Sequence, residues 1–120
     1  MSAWTVDELD AIAAADELQL TASGQTVTIW VVRVGDDVYV RSVRGRTSGW
    51  FRHVRQGHEG RISAGGVEKD VTFVEVGVDE ADDEMGKAYR SKYGDRYPAA
   101  FIDPLLTAEA RAATLRLDPR

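Results

Sequence analysis

Apolar and polar residues alternate in short runs along most of this chain and switch to helical spacing at three places. Thr5-Val6-Asp7-Glu8 has the spacing of a capping box, with the Thr5 hydroxyl facing the Glu8 amide. Val6, Leu9, Ile12 and Ala13 then form one stripe, which predicts a short first helix ending near Asp16. Leu18, Leu20 and Ala22 alternate with Gln19 and Thr21, a strand closed by Ser23-Gly24. The run Thr26 to Val34 is rich in β-branched residues and apolar on both faces, which predicts one central strand covered on both sides. Gly35-Asp36-Asp37 turns it into Val38 to Val43, completing a hairpin.

Ser48 is a suitable N-cap, and Trp50, Phe51 and Val54 fall at helical spacing before Gly57, so residues 49–56 read as a two-turn helix. Arg61 to Ala64, a Gly65-Gly66 turn and Val67 to Val76 make a second hairpin, with Val71 and Phe73 facing away from Val74 and Val76. Asp79 caps a third helix with Ala81, Met85, Ala88, Tyr89, Lys92 and Tyr93 on one stripe. Glu80, Asp82, Asp83 and Glu84 crowd its first turn, where the macrodipole favours negative charge. A Tyr97-Pro98 to Pro104 loop and a turn or short helix at Thr107 to Arg111 lead to a last strand, Thr114 to Leu117, with Leu115 and Leu117 inward.

These six strands, joined by turns too short for parallel crossovers, predict an α+β fold: a small, mainly antiparallel six-stranded split β-barrel with flanking helices, in one domain over residues 1–120. Trp30, Trp50, Tyr39 and Phe73 offer more aromatic surface than one thin core requires, which points to a homodimer.

Charge changes the picture at one place. The net charge is -5, yet residues 41–61 hold six arginines (Arg41, Arg44, Arg46, Arg52, Arg55, Arg61) and one acid, Glu59. A local positive patch on a negative chain suits a small phosphorylated ligand better than a long polyanion. Strand alternation places Arg41 with Tyr39 on one face and Ser42 with Val40 on the other, so Arg41 can bend over a ligand lying along the sheet. Gly45 and Gly49 let the main chain approach a bound group, while Ser48 and the amides opening the helix can donate to phosphate oxygens. Guanidinium groups of Arg44 and Arg46 add bidentate, charge-assisted bonds. The competing reading makes these arginines surface residues paired with the acids of the third helix. The glycines and serine at a helix start favour the anion site, because surface pairing leaves them unexplained.

Other chemistry has weaker carriers. Without cysteine there is no disulfide, thiolate nucleophile or iron-sulfur cluster. His53 and His58 are five residues apart and lack an acid pair, and the acidic run of the third helix lacks a calcium loop's glycine turn, so no metal is expected. Lys69 beside Asp70 reads as an exposed pair, with Lys69 and Tyr93 the alternative proton donors or phosphate contacts. No Ser-His-Asp order or carboxylate pair suggests hydrolysis. The chain has no apolar run near the roughly 20 residues of a membrane span and no basic start with an apolar stretch behind it, so the expected compartment is the cytoplasm.

The pattern Trp30-Val31-Val32, then Asp37 to Ser42, then Arg44-Gly45-Arg46-Thr47-Ser48-Gly49-Trp50-Phe51-Arg52, resembles a group of small uncharacterised bacterial proteins related to the flavin- and deazaflavin-binding split β-barrels. That superfamily includes pyridoxamine-phosphate oxidase-like flavoproteins and deazaflavin-dependent nitroreductases. The likeness covers most of residues 3–118, with its core from Ile29 to Val76 and a second match at Arg111 to Arg120. It implies an FMN or deazaflavin phosphate held by basic and hydroxyl side chains at the end of a barrel strand, with the ring near a dimer interface. On that resemblance Arg41, Ser42, Arg44, Gly45, Ser48 and Trp50 are the phosphate-side contacts, and Arg46 and Gly49 belong to the same segment. One departure is plain: many deazaflavin enzymes carry a Gly-Arg-x-Ser-Gly stretch between the first two barrel strands, whereas here it follows the second hairpin strand and opens a helix.

The favoured function is therefore that of an oxidoreductase-like protein binding FMN or deazaflavin, with Trp50, Trp30 or Tyr93 packed near the ring. The alternative is a non-enzymatic module holding a flavin or another phosphorylated small molecule. A nucleic-acid binder ranks last, because the net charge is negative and the basic residues are not spread along a face.

Overall fold

The computed structural model describes residues 3–43, 45–47, 49–76 and 82–120. Within them the chain is α+β, with helices packed on both faces of one curled antiparallel sheet, a half-barrel of seven strands rather than six. Its strands are β1 (Leu18–Ala22), β2 (Gln25–Ile29), β3 (Val32–Val34), β4 (Asp37–Arg41), β5 (Glu59–Ala64), β6 (Val67–Val76) and β7 (Thr114–Pro119), in spatial order β2-β1-β5-β6-β7-β4-β3. The helices are α1 (Val6–Ala14), α2 (Gly49–Gly57), α3 (Asp82–Tyr93), α4 (Ala99–Ile102) and α5 (Ala108–Ala112). No helix among the described residues is long and apolar enough to cross a membrane.

Local chemistry sets most boundaries. Thr5 Oγ1 accepts from the Glu8 amide at 3.1 Å and the Glu8 carboxylate accepts from the Thr5 amide at 2.9 Å, so the capping box starts α1 as its spacing predicts. The Thr5 amide first, and then Lys69, hold the Glu8 carboxyl below its usual range. Ser23 and Gly24 both take positive φ (51° and 77°), as do Gly65 and Gly66 (57° and 87°), and these pairs close the β1-β2 and β5-β6 hairpins. Helix α2 ends differently from expectation: His58, with φ 60°, is the left-handed residue that stops it, and its amide donates to the Val54 carbonyl at 2.8 Å. The expected cap at Asp79 and the stripe position Ala81 lie outside the described residues.

The largest correction concerns Thr26 to Val34. It is two strands: β2 forms one edge of the sheet and pairs with β1, whereas β3 forms the opposite edge and pairs with β4. Only Trp30 and Val31 separate them, so Ile29 and Val32 are at most about 11 Å apart, three Cα steps of 3.80 Å. The sheet therefore curls until its two edges nearly meet. Inward and outward alternation survives the crossing, since Val27, Ile29 and Val31 join one apolar cluster and Trp30, Val32 and Val34 the other. The expectation of cover on both sides fails over β2, where Thr26 and Thr28 are exposed, and is met only near Val31 and Val32; the expectation of a central strand does not hold. Helices α1 and α3 pack on β3 and protect that edge.

The same alternation divides the core. Inside the curl, Leu18, Leu20, Val38, Val40, Ile62, Val71, Phe73, Leu115 and Leu117 pack with Leu9 and Ile12 of α1 and Phe51 and Val54 of α2. On the outer face, Val32, Tyr39 and Val76 pack with Met85, Tyr89 and Tyr93 of α3 and with Ile102 and Leu105. Tyr39 and Phe73 are thus consumed by the chain's own core. Two of the four aromatics behind the dimer expectation are therefore not surface groups.

At the crossing, Val31 lacks strand partners, and a buried backbone group without a partner is costly. Helix α3 supplies them. The Tyr93 hydroxyl accepts from the Val31 amide at 3.1 Å and donates to the Asp16 carbonyl at 2.8 Å, while Lys92 Nζ donates to the Val31 carbonyl at 2.7 Å. Burial pushes the Tyr93 phenol up to about 12. Burial also pushes the Lys92 ammonium down to about 8, against the opposing pull of the Asp16 carboxylate.

A lysine whose folded pKa lies below its unfolded 10.5 carries its desolvation cost in full at neutral pH. Between about pH 8 and 10.5 the unfolded chain holds the proton that the folded one has released, so this site's contribution to stability rises with pH. Tyr93 opposes the gain only above its unfolded value of 10. Solvent screening of the half-exposed ammonium holds the gain to about 1 kcal/mol. Urea unfolding at pH 7.5 and 9.5 should show wild type gaining on Lys92→Met by that amount; equal pH dependence of the two would refute it.

Candidate functional site

Strand β4 is buried along both faces from Val38 to Arg41. Val38 and Val40 point into the curl, and Tyr39 and Arg41 to the outer face, the arrangement that period-two alternation predicts. Arg41 is 3% exposed, with its guanidinium 5.9 Å from the Tyr89 ring centroid. Its Nε donates to Thr114 Oγ1 and its Nη1 to the Leu105 carbonyl, both at 3.0 Å. Burial pushes the neighbouring Tyr89 phenol up, and the Arg41 charge offsets part of that. Ser42 is also buried, and its amide donates to the Ala113 carbonyl at 3.0 Å.

Arg41 and Ser42 lie at a cleft of about 430 Å3. Ile29 and Trp30 come to it from the β2-β3 crossing, Gly49 and Trp50 from the start of α2, and Phe101 and Leu105 from the segment that follows α3. Val43 and Phe101, two of the exposed large hydrophobic residues, also line it. The Trp30 ring is stacked on Tyr93 at 4.0 Å with 5° between planes, and Tyr97 leans on it at 4.9 Å. Among the described lining residues Arg41 is the one charged side chain, and the other walls are mainly apolar. Such a cleft can hold a flat, apolar body with an anionic group at one end.

Of the residues singled out from sequence, Arg41, Ser42, Gly49 and Trp50 come together here. Arg44 and Ser48 lie outside the described residues. Gly45 opens a 3-10 turn (Gly45–Thr47) with φ 75°, its amide donating to the Ser42 carbonyl at 3.0 Å, and a Cβ there would press on Glu109 of α5 at 3.4 Å. Its freedom serves a turn and a close helix approach. Arg46 is turned elsewhere: Nη2 meets the Glu75 carboxylate at 2.7 Å and Nη1 donates to the Ala112 carbonyl at 3.2 Å. Arg55 also approaches Glu75, at 3.6 Å, and Arg61 pairs with Asp70 at 2.9 Å.

The described pairs of Arg46, Arg55 and Arg61 thus use acids of β6, Glu75 and Asp70. Lys69 likewise pairs with Glu8 at 2.9 Å, not with its neighbour Asp70. Sequence reasoning missed Thr28, Ile29, Val43, Phe101 and Leu105 as lining residues. Phe101 between Pro98 and Pro104 was a usable signal, because a large apolar residue in a proline-bounded loop invites a packing partner.

Residues 8–117 match the model of a family described as "Uncharacterized protein conserved in bacteria (DUF2255)". The chain belongs to this family. The match spans all seven strands apart from the last residues of β7, so the cleft lies within the family's common region. No curated protein matches the chain.

Proposed function

We propose that this protein of the DUF2255 family binds a planar phosphorylated cofactor, FMN or a deazaflavin, in the Arg41 cleft, as an oxidoreductase-like protein of the split-barrel type. One observation carries the reading: aromatic and aliphatic walls enclose about 430 Å3 beside a buried guanidinium and hydroxyl, Arg41 and Ser42. That volume is within the range of cofactor sites, and the donor set suits a phosphate. Trp30, Trp50 and Phe101 would flank the ring, Arg41 and Ser42 would hold the anionic tail, and Ile29 and Leu105 would exclude water. Arg46 and Gly45, on the adjoining turn, have other contacts: Arg46 pairs with Glu75, and Gly45 lets the turn pass close to α5. When bound, the cofactor ring supplies hydride chemistry.

A second reading also has support. Among the described residues that line the cleft there is no histidine, lysine, tyrosine or carboxylate that could move a proton, which favours a non-enzymatic holder of the same ligand. Turnover of reduced cofactor with an artificial acceptor separates the two.

Phe101 is 61% exposed, so Phe101→Ala should leave the melting temperature unchanged and weaken FMN or deazaflavin binding about fivefold. Arg41→Lys keeps the charge but loses the planar fork, and should weaken binding about tenfold or more. Both are read by quenching of cofactor fluorescence. Wild-type protein that quenches neither cofactor at micromolar concentration sinks the reading, and native mass spectrometry of the loaded protein reports subunit number as well as ligand mass.

A further inference from the structure

Helix α2 carries a second cationic surface. With 3.6 residues per turn, Arg52 points about 160° away from Trp50, so the side facing the Arg41 cleft and the side bearing Arg52 are separate. On that second side a recess of about 330 Å3 is lined by Arg52, Arg55, His58 and Glu75. Arg46 Nη2, Arg55 Nε and His58 Nε2 stand 2.7, 3.6 and 3.8 Å from the Glu75 carboxylate. Arg52 lines the recess while making no hydrogen bond or ion pair with any described residue. Two guanidiniums and an imidazole thus stand around one carboxylate, a third guanidinium lines the same recess, and among the described residues no other acid pairs with them there.

The backbone adds an independent observation. His58 takes φ 60° although Gly57, beside it, could have supplied a left-handed helix stop without strain. Its amide and carbonyl are both engaged, with Val54 and Phe73, at 2.8 Å each. A strained non-glycine residue whose backbone is pinned, and whose ring lines a basic recess, marks a place where the side chain matters.

We propose that this recess is a binding site for a compact dianionic oxyanion, the phosphate group of a small metabolite, independent of the Arg41 cleft. Glu75 pre-orders Arg46 and Arg55, Arg52 supplies the unengaged fork, and His58 adds a ring N–H donor. A small ligand fits better than a polyanion because the cations converge on one recess while the whole chain carries -5.

Isothermal titration with inorganic phosphate and with pyrophosphate at low salt tests this. Wild type should bind saturably. Arg52→Ala should weaken binding about tenfold with an unchanged melting temperature, since Arg52 is exposed and makes no hydrogen bond or ion pair with a described residue. His58→Gly should weaken binding severalfold while raising the melting temperature by about 3 °C, a split that a purely structural histidine would not produce. Quenching of the flavin ring in the Arg41 cleft should be unaffected by either change, and binding of inorganic phosphate should persist even if no flavin is quenched. Absence of saturable phosphate or pyrophosphate binding, wild-type affinity in Arg52→Ala, or preferential binding of a single-stranded oligonucleotide would each overturn the proposal.

Discussion

Gly60→Ala is expected to destabilise the protein by about 3 kcal/mol, more than a single methyl group ordinarily does. Gly60 sits in β5 opposite Val71, with no unusual φ, and nothing about it stands out as a turn residue. The constraint is space: a Cβ would stand 2.3 Å from the Thr21 carbonyl oxygen and 2.6 Å from Cε2 of Phe73. Thr21 belongs to the β1-β5 ladder and Phe73 is fully buried inside the curl, so neither can step aside cheaply. Relief from Phe73→Leu should be only partial, because the contact with the Thr21 carbonyl remains. Gly24→Ala is the contrast: its Cβ would meet nothing within 4 Å, leaving only the cost of φ 77°, about 1 kcal/mol. Urea unfolding of the three variants checks this, and a Gly60→Ala protein within about 0.5 kcal/mol of wild type would contradict the packing argument.

Tyr93→Ala should cost about 4 kcal/mol, and Tyr93→Phe about half of that. The phenylalanine variant keeps the ring against Trp30 and Tyr89 but leaves the Val31 amide and the Asp16 carbonyl without their partner at the place where the sheet edges meet. Alanine removes the ring as well. Because Trp30 stacks on Tyr93 and also lines the Arg41 cleft, Tyr93→Ala should weaken ligand binding too, whereas Tyr93→Phe should leave it close to wild type. Denaturant titration paired with cofactor quenching separates the two effects. Equal stability losses in the two variants would show that the hydroxyl alone secures the seam.

Much of the site was legible because its signals are local. Arg41 and Tyr39 share a face by strand alternation, and Trp50 and Gly49 follow from a helix start, so these positions could be named without coordinates. Arg46 was not legible in the same way. Its partner Glu75 is on β6, close in space but far in sequence, and no periodicity links the two. The wall formed by Phe101 and Leu105 depends on how the segment after α3 folds back over Arg41, which is a matter of packing rather than pattern.

Periodicity, caps and positive-φ turn residues thus determined the antiparallel character of the sheet, the Thr5 box, the three glycine-bearing hairpin turns and which residues of each strand face inward. These are decided by interactions within a few residues. Tertiary structure alone decided that Thr26 to Val34 would serve both edges of one curled sheet, that Tyr93 and Lys92 would satisfy Val31 at the crossing, and that the arginines would divide between two recesses. Each of those outcomes depends on which distant backbone and side-chain groups meet when the sheet closes on itself, and alternation along a strand carries no information about its neighbour.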